Sequence, residues 1–110
     1  MNTAGLNQNQ LVERYFDLAP EPDRDAYFAQ FSPDAVVEDE GKERHGLNEI
    51  RAWRTEVPRV SYRVADVQES AEGRIAAVHI SGDFPGSPVH LTFTFRFTDD
   101  GRISFLAIRP

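Results

Sequence analysis

An α+β domain is predicted for this 110-residue chain by three observations. The first half carries apolar residues at helical spacing, interrupted by one short strand. From Val60 onward the spacing changes to period two. Turns containing Gly or Pro then separate four strands closely enough for hairpin connections. The expected architecture is a curved sheet, antiparallel or mixed, with helices collected on one face.

The elements follow in order. Residues 1–6 read as a tail. Leu11, Val12, Tyr15, Phe16, Leu18 and Ala19 recur at three- and four-residue spacing, which predicts a helix over 7–19 that Pro20 stops. Asp23 is placed to cap a second helix over 24–31, with Tyr27, Phe28 and Phe31 on its inner side and Ser32-Pro33-Asp34 ending it. The short link makes the two a helical hairpin. Ala35 to Asp39 is a strand that ends in carboxylates, and Glu40 to Gly46 reads as a solvated loop. Leu47, Ile50, Trp53 and Val57 mark the buried stripe of a third helix over 47–57, closed by Pro58. Strands are expected over 60–69, 74–82, 89–97 and 102–109. In the third of these, Val89, Leu91, Phe93, Phe95 and Phe97 alternate with His90, Thr92, Thr94, Arg96 and Thr98. Asp99-Asp100-Gly101 is a hairpin turn. A long sheet curled over three helices leaves a conical interior, lined by the apolar side of residues 89–97.

Composition narrows the function. With 18 acidic and 12 basic residues the net charge is -6, and no basic run interleaves with aromatics, so neither nucleic acid nor an anionic membrane is an expected partner. Without cysteine there is no disulfide, thiolate metal site or Cys nucleophile. The histidines at 45, 79 and 90 lack metal-ligand spacing, so no metal is expected. No apolar run approaches the roughly 20 residues of a membrane span, and no signal peptide is visible, which makes the cytoplasm the expected location.

Three stretches then resemble the NTF2-like superfamily, the cone-shaped fold of ketosteroid isomerases and SnoaL-like polyketide cyclases. They are Arg14-Tyr15-Phe16, the block from Phe31 through Val37-Glu38-Asp39 with Gly46, and Phe95-Arg96-Phe97 with Asp100-Gly101-Arg102-Ile103. The resemblance covers about residues 6–110 as a single domain and implies no cofactor. In ketosteroid isomerases the Asp that closes the Val-Glu-Asp block is the general base, and a Tyr of the first helix hydrogen-bonds the dienolate oxygen. Asp39 and Tyr15 match those two positions. The second oxyanion donor of that family, an Asp, aligns with Phe93. Two pocket tyrosines align with Arg54 and Phe31.

The expected function is therefore proton abstraction next to a carbonyl of a small apolar, oxygenated ligand, by an isomerase or cyclase. Asp39 is the candidate base and Tyr15 the donor. Candidate walls from the helical half are Phe28, Phe31, Trp53 and Arg54. From the strands they are Val78, Leu91, Phe93, Leu106 and Ile108. Val37 and Asp39 share one side of their strand; the resemblance implies that this side faces the apolar interior, whereas an acid at a strand end read by itself sits in water. Glu38, Glu40 and Glu43 are expected in water. Other readings stay open. Tyr15 is either a donor or a core aromatic. Arg54 either enters the pocket, to pair Asp39 in a hydrolase or to clamp a carboxylate, or stays solvated. His45 is a rim proton shuttle or an exposed loop residue. A non-catalytic binding or interaction module is the alternative that Phe93 favours. The outward side of the sheet, with His79, His90, Thr92, Thr94 and Phe105, is a candidate homodimer face.

Overall fold

The structure, a computed structural model, describes residues 6–110. Of the expected tail, residues 1–5 lie outside that range, and Leu6 is half-buried. Helix α1 spans Gln8–Leu18. Its start is set by a capping box: Asn7 Oδ1 accepts from the Gln10 amide at 2.8 Å, and Gln10 Oε1 accepts from the Asn7 amide at 2.9 Å. Helix α2, Arg24–Ala29, is capped by Asp23, whose Oδ1 accepts from the Asp25 amide at 3.0 Å.

The second helix is shorter than expected, and the strand after it is longer. Strand β1 runs Phe31–Asp39 and includes the Ser32-Pro33-Asp34 segment expected to be a breaker. Pro33 is tolerated because it sits in the irregular stretch between Phe31 and Val36, where β1 has no partner on the β2 side. The expected loop after Asp39 is also corrected. Lys42–His45 forms a short strand, β2, that pairs antiparallel with β1. Glu40 and Gly41 make the two-residue turn, with φ of +53° and +74°. Period-two reading misses β2 because Lys-Glu-Arg-His has no apolar side: it is a charged edge strand. Arg44 Nη1 fastens it by donating to the carbonyls of Asp39 (2.8 Å) and Lys42 (3.1 Å).

Helix α3 is Gly46–Glu56. Strands β3 (Ser61–Glu69), β4 (Gly73–Ser81), β5 (Val89–Phe97) and β6 (Ile103–Arg109) follow close to their expected bounds. The sheet order is β2-β1-β6-β5-β4-β3. All neighbours are antiparallel except β1 and β6, the second and third strands, which pair in parallel, so the six-stranded sheet is mixed, curved and unclosed. Only two helices precede the sheet in sequence; α3 lies between β2 and β3.

The core forms where α1, α2 and α3 meet the inner side of the sheet. Tyr15, Tyr27, Phe31, Phe93, Phe95 and Ile50 are fully enclosed there. Each apolar side chain so buried contributes roughly 1.5–3 kcal/mol. Edge strand β3 is largely exposed and bulges between Val64 and Asp66.

Candidate functional site

Strand pairing carries Asp39 to the wider end of this core. Val37, two residues earlier on the same side of β1, is completely buried, while Asp39 at the strand's end is half-buried. Asp39 is paired with Ile108 of β6, and Ile108 with Phe93 of β5. These three residues form one cross-strand row in the wall of a cavity of about 220 Å³. Tyr62, Ile80 and Val89 make a second row on β3, β4 and β5. Tyr15, Trp53 and Arg54 close the helical side. The lining is mostly apolar with a few converging polar groups, the pattern of a small-molecule site.

The Asp39 carboxylate is held in place. Trp53 Nε1 donates to its Oδ2 at 3.0 Å, and Oδ1 has no hydrogen-bond partner among the described residues. An acceptor oxygen therefore remains for a ligand. Asp39 and Arg54 do not pair: no salt bridge joins them.

Tyr15 and Tyr27 form a buried hydroxyl pair, Oη to Oη 2.8 Å. Burial, reinforced by Tyr27, pushes the Tyr15 phenol well above its ordinary range. Burial raises Tyr27 as well, to about 12, against the opposing pull of the Arg54 guanidinium. Both therefore stay protonated at neutral pH. Either hydroxyl can donate in this pair, and Tyr15, but not Tyr27, lines the cavity. Arg54 is neither solvated nor paired with an acid. It is 6% exposed, lies 4.5 Å over the Tyr27 ring, and uses Nη2 to donate to the Ala19 carbonyl (2.8 Å) and to Tyr62 Oη (3.3 Å). The Tyr62 hydroxyl oxygen accepts that bond.

Seven of the expected site residues meet at the cavity: Tyr15, Asp39, Trp53 and Arg54, with Leu91, Phe93 and Ile108. Four do not. Val78 and Leu106 are buried in the core but are not part of the cavity wall. Phe31 packs on the Tyr27 ring at 5.5 Å instead. Phe28 lies under Arg51 and faces a different cleft. His45 is exposed on the edge strand beside Glu43 and does not reach the cavity. His79 and His90 meet edge-to-face across β4 and β5, with ring centroids 3.9 Å apart, away from it. Glu38 is not free in water but bonds bidentately to Arg109 at 2.6 and 2.8 Å. Exposed Glu40 reaches the cavity rim. Sequence reasoning missed Tyr62 and Tyr27 as polar participants. The alternation around Tyr62 was visible, but its hydroxyl contact with Arg54 crosses from β3 to α3.

Among the described residues there is no group of three or more His, Asp or Glu able to hold a metal, and no helix long and apolar enough to cross a membrane.

Residues 12–105 match the SnoaL-like domain family. A proposed polyketide cyclase of Sinorhizobium meliloti is 36% identical, with 91% of this chain and 94% of that one covered and a TM-score of 0.83. Two more distant structures share the fold. SalBIII, an epoxide hydrolase/cyclase-like enzyme of pyran ring formation in the polyether salinomycin, is 21% identical (93% and 88% covered, TM-score 0.80). A Mycobacterium tuberculosis protein in complex with estradiol-17β-hemisuccinate is 15% identical (92% and 91% covered, TM-score 0.77). No curated protein matches the sequence. By fold and by sequence, the chain belongs to the SnoaL-like domain family.

Proposed function

We propose that the protein is an enzyme that abstracts a proton next to a carbonyl of a small apolar, oxygenated molecule, in an isomerisation or an aldol-type cyclisation. The observation that carries this reading is the free Oδ1 of Asp39, a residue that lines one apolar cavity together with Tyr15. Asp39 Oδ1 takes the α-proton while the C–H electron pair moves into the enolate. The Tyr15 O–H donates to the developing oxyanion. In a cyclisation the enolate carbon attacks a second carbonyl of the same molecule, forming the C–C bond, and the proton held by Asp39 returns to the new alkoxide. No co-reactant is consumed.

Phe93 cannot donate a hydrogen bond where ketosteroid isomerases place an acid. Tyr62, whose oxygen accepts from Arg54, supplies the second donor in this reading. Likeness to a proposed polyketide cyclase supports a poly-carbonyl substrate, whose acidic α-protons demand less oxyanion help. The sheet's outer side, where His90 is exposed and Arg96 lies 4.8 Å over Phe105, is the homodimer face in the same reading, to be checked by sedimentation.

The test uses 2-tetralone, a small ketone with activated α-protons, in D₂O. The protein accelerates α-proton exchange followed by NMR, and Asp39→Asn lowers the catalysed rate by about 100-fold or more. No acceleration, or equal rates in the two proteins, overturns the proposal. A non-catalytic binding module, the reading that Phe93 favours, predicts tetralone binding without exchange.

A further inference from the structure

A second cleft, of about 480 Å³, lies on the other side of Arg54 and Val57, which it shares with the apolar cavity. Four arginines line it: Arg24, Arg51, Arg54 and Arg59. No acidic side chain does. The chain has only 12 basic residues against 18 acidic ones, so this gathering opposes the overall charge. None of the four makes a salt bridge among the described residues.

Two of the guanidinium groups converge. Arg24 Nη1 and Arg54 Nη2 donate to the same carbonyl, that of Ala19, at 2.9 and 2.8 Å. The two nitrogens therefore lie within about 6 Å of each other, and like charges at that distance repel. Arg54 is 6% exposed, and its Nε is buried without a hydrogen-bond partner. A buried guanidinium with an unused donor and no counter-ion is costly. Aromatic faces offset part of that cost: Arg54 lies over Tyr27 and Arg51 over Phe28, each at 4.5 Å. The stacking also holds both planar groups at the cleft wall.

From this we infer that the arginine cleft is an oxyanion site, built for a carboxylate or a phosphate. Such a group takes two-pronged hydrogen bonds from guanidinium and relieves the repulsion between Arg24 and Arg54. Its source is either the charged end of a ligand whose apolar part fills the neighbouring cavity or a separate anion. The site does not depend on the reaction proposed for Asp39.

The probe is inorganic phosphate, titrated at low ionic strength into isotope-labelled protein. Saturable shifts of the amides of residues 24, 51–57 and 59 are expected. Arg51→Gln/Arg59→Gln, which alters only exposed side chains, weakens binding at least tenfold, and Arg51→Lys/Arg59→Lys restores part of it. Absence of saturable binding, or equal binding by the wild type and the Gln variant, overturns the assignment. The source is read with 2-naphthoate and its neutral analogue 2-naphthol. A naphthoate preference that the Gln variant abolishes places the anion on the cavity's own ligand. Phosphate binding without such a preference makes it a separate anion.

Discussion

Trp53 Nε1 donates a 3.0 Å hydrogen bond to Asp39 Oδ2, across 14 positions of sequence, from α3 to the end of β1. The indole fixes one carboxylate oxygen and leaves the other without a hydrogen-bond partner among the described residues. Trp53→Phe keeps most of the apolar contact and removes the donor. Exchange of 2-tetralone protons is expected to slow by about 10-fold, because the carboxylate gains rotational freedom. Stability falls by about 1 kcal/mol. An unchanged exchange rate would show that the indole does not position Asp39.

The Tyr15–Tyr27 pair gives the folded state an alkaline limit. An unfolded tyrosine ionises near 10, whereas Tyr27 is raised to about 12. Between those values the unfolded chain has released a proton that the folded chain still holds, so stability falls as pH rises. The contribution is fully present below pH 10 and is lost by about 12, on the order of 2–3 kcal/mol for this enclosed side chain. Tyr27→Phe is about 1 kcal/mol less stable at pH 8 but has a shallower loss at high pH. Urea unfolding across pH 8–12 measures both; parallel profiles for the two proteins would refute the assignment.

Two backbone positions set opposite expectations. Glu40 has φ +53°, a left-handed conformation that side chains with a Cβ disfavour. Glu40→Asn suits the turn better and is expected to stabilise by about 1 kcal/mol, raising Tm by about 4 °C. A Cβ on Gly73 would stand 2.0 Å from the Phe95 carbonyl oxygen, on a strand backbone that cannot yield. Gly73→Ala should cost about 3 kcal/mol or more and loosen the β4–β5 pairing. Thermal unfolding decides both.

His79 sits below its ordinary value of 6.5, through partial desolvation first and then the neighbouring His90 and Arg63 charges. Stability linked to its neutral form is present above 6.5 and fades as pH falls through the lowered value. His90→Asn removes one of those charges and should raise the His79 midpoint, read from the imidazole C2 proton by NMR. An unmoved midpoint would leave the ring contact without electrostatic effect.

Much of the scaffold was legible because its signals are local. The Asp23 cap and the alternation of Val89 to Phe97 each lie within a few residues of the structure they specify. The β2 strand was not legible, since its pairing comes from the turn at Glu40-Gly41 and not from any apolar side of its own. Val78 and Leu106 face the interior as alternation predicts, yet they lie in the packed core, and alternation carries no depth.

The amino-acid sequence by itself determined which side of each helix and strand is apolar, where most elements begin and end, and that Val37 and Asp39 share one side of their strand. Only the tertiary structure decided who stands opposite whom. Parallel pairing of β1 with β6 set Asp39 beside Ile108 and Phe93, and the packing of α3 turned Arg54 inward to Ala19, Tyr27 and Tyr62. Periodicity records the face of an element because neighbouring residues share it. Register and side-chain convergence depend on segments tens of residues apart, which no local pattern encodes.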